Sequence, residues 1–252
     1  MPTLRAAVIL AVFLIVTLIL IPVQWLGVRL HLPYRRSFPH AYHRFVARLF
    51  GIRIQVAGTP VRGMGVLLLA NHTGWLDIVI FSAVMPLSFV AKTEVASWPF
   101  FGTLARLQRT VFVDRTRRSE TGATRDAIRE RLRAGDTLVL FPEGTSGDGN
   151  AVLPFKSALL GVAGGEDATM QPVSTAYTGI HGIPMGRENR PLFAWYGDME
   201  LVPHLWEALK AGPLDVVVEF HPPLALADRK ELAKTAENLV RQGQIRALAG
   251  QT

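Results

Sequence analysis

The 252-residue sequence predicts an α/β domain with a mostly parallel central sheet covered by helices on both faces, preceded by an N-terminal membrane helix. Three observations predict it. From residue 52 onward strand-like and helix-like segments alternate. Strands such as VLLLA and TLVLF are continuously apolar, the pattern of strands buried on both faces. The stretch AAVILAVFLIVTLILIPV, residues 6–23, carries no charge and only Thr17 as a polar residue. As a helix it comes close to the roughly 30 Å of a bilayer's hydrocarbon core.

The first element, residues 1–30, reads as a membrane-anchoring helix. A cleaved signal peptide fits less well, because the apolar run is long and Pro22-Val23-Gln24-Trp25-Leu26 offers no small-x-small cleavage pattern. Trp25, Arg29, Arg35, Arg36, Arg44, Arg48 and Arg53 follow it, an interfacial aromatic with a basic flank that places the remainder on the cytoplasmic side of the cell (inner) membrane. Residues 1–76 hold eight Arg and no acid, whereas the rest of the chain sets 19 Lys and Arg against 20 Asp and Glu. Positive charge gathered beside an apolar helix points to membrane lipids as partners and not to nucleic acid, which calls for basic and stacking aromatic residues on a folded face. No cysteine occurs, which removes disulfides, thiolate metal sites and a cysteine nucleophile.

Residues 31–59 form a basic amphipathic segment. In FPHAYHRFVARLF, residues 38–50, the aromatic and leucine positions share one helical face, His43, Arg44 and Arg48 lie away from it, and Gly51 stops the helix. A membrane-surface helix and a core-facing helix with a solvated basic face both fit.

The main domain is assigned to residues 60–252. Strands are expected at 52–58, 66–71, 87–92, 109–115, 137–144, 170–177, 192–197 and 216–224; helices are expected at 78–84, 121–133, 156–162 and 228–248. Strand ends are then the natural place for chemistry.

Two such ends carry candidate residues. After VLLLA comes Asn71-His72-Thr73-Gly74-Trp75-Leu76-Asp77, where a carboxylate a helical turn beyond the histidine can accept Nδ1–H and leave Nε2 as a base. Such a pair by itself more often makes a surface hydrogen bond. After TLVL comes FPEGTSGDG, residues 141–149, a glycine-rich loop around one Glu, suited to holding a polar head or an oxyanion. Neither a Walker loop nor a G-x-S-x-G elbow is present, so direct attack by a substrate hydroxyl is simpler than a serine nucleophile.

These blocks resemble the 1-acyl-glycerol-3-phosphate acyltransferases and their relatives among the phospholipid/glycerol acyltransferases. Asn71, His72 and Asp77 match the first block; Phe112 and Arg115 the second; Phe141-Pro142-Glu143-Gly144-Thr145 the third; Pro172 the fourth; and Lys92-Thr93-Glu94 a lysine segment between them. The resemblance implies acyl transfer from a thioester, acyl-CoA or acyl-carrier protein, to the free hydroxyl of a lysolipid acceptor. His72 would be the general base and Asp77 its orienter. Asn71, Lys92, Phe112, Arg115, Glu143, Gly144, Thr145, Ser146 and Pro172 would bind substrate, with no metal and no organic cofactor. 1-Acyl-glycerol-3-phosphate is the default acceptor. However, Ser146 stands where many such enzymes carry a phosphate-binding Arg, and Asp148 would attract a cation. Together with WYGDMEL and PHLW, residues 195–206, this resembles the lyso-ornithine lipid acyltransferase branch, the alternative reading. An inactive lipid-binding scaffold of the same fold is a further alternative. The Arg-rich run from Arg115 to Arg133 reads as a solvated face paired with Glu120, Asp126 and Glu130; docking of acyl-carrier protein is its sharper alternative.

Overall fold

The computed structural model describes residues 1–63, 65–113, 121–160, 169–225 and 228–251. In chain order it comprises α1 (Pro2–Arg29), α2 (Phe38–Phe50), β1 (Ile52–Gly58), β2 (Val66–Ala70), α3 (Leu76–Val84), β3 (Ser88–Lys92), α4 (Phe101–Leu107), β4 (Val111–Val113), α5 (Thr121–Arg133), β5 (Thr137–Leu140), α6 (Ser157–Leu160), β6 (Thr169–Ile180), β7 (Ile183–Pro184), α7 (Leu201–Ala211), β8 (Leu214–Phe220) and α8 (Arg229–Leu248).

The sheet order is β1-β8-β6-β2-β5-β3-β4, with β7 paired to β6. β6, β2, β5, β3 and β4 run parallel, while β8 is antiparallel to β6 and carries β1 parallel to itself. The apolar run of β2 explains its central position. Val66, Leu68 and Ala70 enter one core layer and Leu67 and Leu69 the other, so both faces are buried and both need helices. α1, α2, α3 and α7 cover the first face; α5, α6 and α8 cover the second. α8 starts at Asp228, whose side chain accepts from the backbone N–H groups of Lys230 and Glu231 as an N-cap.

Several sequence expectations are corrected. Ile52–Gly58 pairs with Leu214–Phe220 along its whole length, so the domain takes in residues before 60. Residues 31–59 are not a separate surface segment. α2 packs on α3 and buries Pro39, Val46, Ala47 and Phe50, which selects the core-facing reading, with Gly51 stopping it at φ 78°. His43, assigned to the polar face, lines an apolar cavity instead, and burial pushes its pKa down to about 4 against the raising effect of the Pro39 carbonyl. α1 is also not detached. Its Ala6, Ile9, Phe13, Thr17 and Gln24 are buried, Arg5 donates to the Leu209 carbonyl at 3.0 Å, and Gln24 donates to the Leu107 carbonyl at 2.9 Å. Its other face leaves Val8, Ile15, Leu18, Ile19 and Trp25 exposed, and the helix is long and apolar enough to cross a membrane. Residues 192–197 form no strand, because the N–H groups of Leu192, Phe193 and Ala194 close turns on Asn189 and Arg190 and the backbone of Trp195 bonds to the loops of the site described below.

Candidate active site

The five parallel strands bring their C-terminal ends to one edge, and the loops after β2 and β5, which are hydrogen-bonded neighbours, meet there. β2 releases the chain at Asn71. Asn71 Nδ2 donates to the Thr175 carbonyl at 2.9 Å and its Oδ1 accepts from Thr175 N–H at 2.8 Å, extending the β2–β6 ladder by one side chain. His72 then leaves the sheet. Its Nδ1 lies 2.8 Å from Asp77 Oδ2, at the start of α3; the imidazole is 22% exposed and the carboxylate 0%.

A fully buried carboxylate needs donors, and Asp77 has a complete set. Thr73 N–H (2.6 Å) and Gly74 N–H (3.1 Å) share Oδ2 with His72, while Tyr177 of β6 donates its hydroxyl to Oδ1 at 2.9 Å. Burial, reinforced by the Asp77 charge and hydrogen bond, holds the Tyr177 phenol well above its usual pKa, so it stays a donor. With Asp77 ionised, the proton of neutral His72 sits on Nδ1 and Nε2 keeps a lone pair. The ring stacks on Phe141 at a centroid distance of 4.0 Å and 17°, and Phe141 is in turn parallel to Phe89 at 6.4 Å. These contacts fix the imidazole through its Nδ1 edge and one ring face.

Glu143 does not stand open to a head group, contrary to the sequence expectation. It is 2% exposed; Oε2 accepts from His72 N–H and Oε1 from Leu153 N–H, both at 2.9 Å. Burial pushes its pKa up to about 8 against the lowering effect of those two N–H groups. It therefore acts as a strut between the two loops. Asn71 and Pro172 are likewise buried inside the sheet, where Pro172 faces Leu69, and neither is open to substrate. Gly144 takes φ 74° in the turn, Thr145 is exposed, and Ser146 Oγ donates to the Trp195 carbonyl at 2.6 Å. Lys92 is exposed at the end of β3, and Phe112 is half-buried on β4, both at the same sheet edge. Arg115, with Arg117, Arg118 and Glu120, lies outside the described residues. Asp148 is turned to Asn150, accepting from its N–H at 2.9 Å and its Nδ2 at 3.0 Å, and Asn150 is gripped by Arg190 at 2.6 Å.

Beside this edge lies an apolar cavity of about 210 Å³ between α1, α2, α3 and α4. Phe89 and Trp75 border it on the side of the His72 loop, and Phe13, Thr17 and Gln24 of α1 on the other.

Residues 53–176, from β1 into β6, match the family model described as Acyltransferase. The chain is 49% identical to the lyso-ornithine lipid O-acyltransferase of Brucella abortus (strain 2308), over 98% of this chain and 97% of that one. The chain belongs to the acyltransferase family. A second member, the 1-acyl-sn-glycerol-3-phosphate acyltransferase of Neisseria gonorrhoeae, is 36% identical over 68% of this chain and 64% of its own. The fold of this acyltransferase is also that of the crystal structure of the 1-acyl-sn-glycerophosphate (LPA) acyltransferase PlsC from Thermotoga maritima, with a TM-score of 0.64 at 23% identity, covering 98% and 97% of the two chains.

Sequence reasoning missed Tyr177, Thr175, Trp195 and Leu153 of this acyltransferase site. For Tyr177 a signal existed. It shares a strand face with Val173, two pairs of residues after the Pro172 block, but only the β2–β6 pairing shows that this face meets Asp77. Trp195 sat in a stretch read as a strand, and nothing in its local pattern says that its N–H donates to the Thr73 carbonyl at 2.9 Å.

Proposed function

We propose that this acyltransferase moves a fatty acyl group from a thioester to the free hydroxyl of a lyso-ornithine lipid. The observation that carries the mechanism is the 2.8 Å His72 Nδ1–Asp77 Oδ2 contact, which leaves Nε2 as a base at the mouth of the glycine-rich loop. The acceptor is favoured by the near full-length 49% identity to the Brucella enzyme, against a partial 36% to the Neisseria enzyme.

In this reading His72 Nε2 takes the proton of the acceptor hydroxyl as its oxygen attacks the thioester carbonyl. The tetrahedral intermediate collapses, the C–S bond breaks, and the thiolate leaves with the proton returned by His72. Asp77 stabilises the transient imidazolium. Because the thioester is already activated, the residues need supply only orientation and proton transfer. The apolar cavity beside the site suits an acyl chain, and the donor is acyl-CoA or acyl-carrier protein.

The exposed apolar face of α1 would lie in the membrane. Because both ends of the helix are fastened to the domain, a helix lying in one leaflet fits better than an isolated span, with the basic residues that follow on the cytoplasmic surface. A solvent-facing role for the whole Arg-rich run fits poorly, since Arg131 is bound to Asp136, to the Arg109 carbonyl and to Ser88 Oγ.

The test is His72→Ala, assayed with lyso-ornithine lipid and 1-acyl-glycerol-3-phosphate under one donor. A loss of roughly two to four orders of magnitude with retained circular dichroism is expected for a general base. A folded variant with near-normal turnover removes His72 from the mechanism, and a wild-type preference for the phosphate acceptor rejects the ornithine reading.

A further inference from the structure

The segment after β7 is bound to both active loops at once. Trp195 N–H donates to the Thr73 carbonyl at 2.9 Å, next to His72, and the Trp195 carbonyl accepts from Ser146 Oγ at 2.6 Å, three residues after Glu143. The fit on the first loop is close. A Cβ at Gly74 would come within 2.8 Å of Trp195 N, so only glycine admits this approach. The Trp75 indole Nε1–H donates to His204 Nδ1 at 3.0 Å, and burial lowers the His204 pKa against the raising effect of the Ala194 carbonyl.

Trp195 is therefore held by its backbone, and its side chain is left to form a surface. The indole meets Trp98 edge to face at 5.6 Å and 85°, and Trp98 borders the apolar cavity. Trp195 Nε1–H closes a short turn on the Met199 carbonyl at 2.8 Å. That turn carries Asp198, with Glu200 next to it; both are exposed, and among the described residues neither carboxylate has a partner. Asp148, which the sequence offered as the cation-attracting group, is occupied by Asn150.

We propose that Trp98 and Trp195, with the carboxylates of Asp198 and Glu200, select the acceptor by taking the side-chain ammonium of its amino acid head group. Indole faces attract a cation, and adjacent carboxylates add charge without being buried. Anchoring Trp195 to Thr73 and Ser146 sets the head group at a fixed offset from His72. This selection rests on the lyso-ornithine reading above.

The experiment compares acylation of lyso-ornithine lipid, its N-acetylated derivative and 1-acyl-glycerol-3-phosphate by the full chain in mixed micelles. Acetylation removes the charge and keeps the reacting hydroxyl. For the wild type, the acceptor KM should rise roughly 5- to 30-fold on acetylation. The Asp198→Asn/Glu200→Gln variant, altered only on the surface, should raise the KM for the charged acceptor several-fold and shrink its advantage over the acetylated one, with the thioester KM and the phosphate acceptor unchanged. Trp195→Leu should raise the KM for the charged acceptor more strongly. Equal wild-type KM values for charged and acetylated acceptors, or a double variant that keeps full discrimination, overturns the site while the acceptor reading stands. A wild type that ignores lyso-ornithine lipid in both forms overturns the acceptor reading and this site with it.

Discussion

Among the described residues two histidines sit beside carboxylates, and only one is placed to react. His221, at the end of β8, lies 3.1 Å from Ser174 Oγ through Nε2 and 3.7 Å from Glu219 Oε1 through Nδ1, the residue types of a serine hydrolase triad. Yet Ser174 is 2% and His221 4% exposed, and α8 closes over them. A Cβ at Gly243 would stand 2.3 Å from Ser174 Oγ and 2.6 Å from His221 Cε1. No substrate atom fits between. His72 has a tighter carboxylate contact, a donor set that fixes the carboxylate, and a ring that reaches solvent. Access and a fully partnered acid set the proposed base apart from a packed polar cluster; residue types do not.

The largest expected effect that sharpens this contrast is Asp77→Asn. An amide cannot fix the His72 tautomer, and turnover should fall by about 10²- to 10⁴-fold. The parallel change Glu219→Gln should leave kcat within a factor of about two, because the His221 cluster performs no chemistry. If Glu219→Gln lowers kcat as Asp77→Asn does in the same assay, the contrast fails.

Next comes Gly243→Ala. Overpacking against Ser174 and His221 should cost about 1–3 kcal/mol, read from chemical denaturation, with kcat of the folded fraction preserved. An effect of similar size is expected for Tyr177→Phe. Asp77 Oδ1 loses the Tyr177 donor while Oδ2 keeps His72 and two N–H groups, so stability should drop by roughly 1.5–3 kcal/mol and turnover by only a few-fold.

A pH effect is expected at Glu143. A carboxyl raised to about 8 in the folded protein binds a proton that the unfolded chain releases near its ordinary value of 4.5. Its contribution to stability is therefore full below that ordinary value and is lost as pH rises toward about 8. Glu143→Gln cannot ionise, so its melting temperature relative to wild type should climb between pH 5 and 8. A difference independent of pH would show that Glu143 is ionised throughout.

Much of the fold was legible because its signals are local. VLLLA and TLVL announce strands buried on both faces, and Gly51 and Asp228 mark helix ends. The failures arose where a segment's partners lie far along the chain. Residues 192–197 have strand composition, but Leu192 to Ala194 turn back on Asn189 and Arg190 and Trp195 bonds to Thr73 and Ser146, so no strand forms. Residues 31–59 look basic and amphipathic, yet α2 finds α3 and β1 finds β8. Glu143 read as an open ligand because a glycine-rich loop around one acid says nothing about which way the acid turns.

The sequence by itself determined the alternating strands and helices, the apolar N-terminal helix, and the His72–Asp77 pair, whose five-residue spacing lets a strand end and the first turn of a helix meet. Only the tertiary structure decided the Tyr177 donor that holds Asp77 from 100 residues away, the inward turn of Glu143, and the burial of His221 beneath Gly243. The physical reason is that a residue's chemistry is set by local composition, whereas its solvation and its hydrogen-bond partners are set by whichever distant strand or helix packs against it.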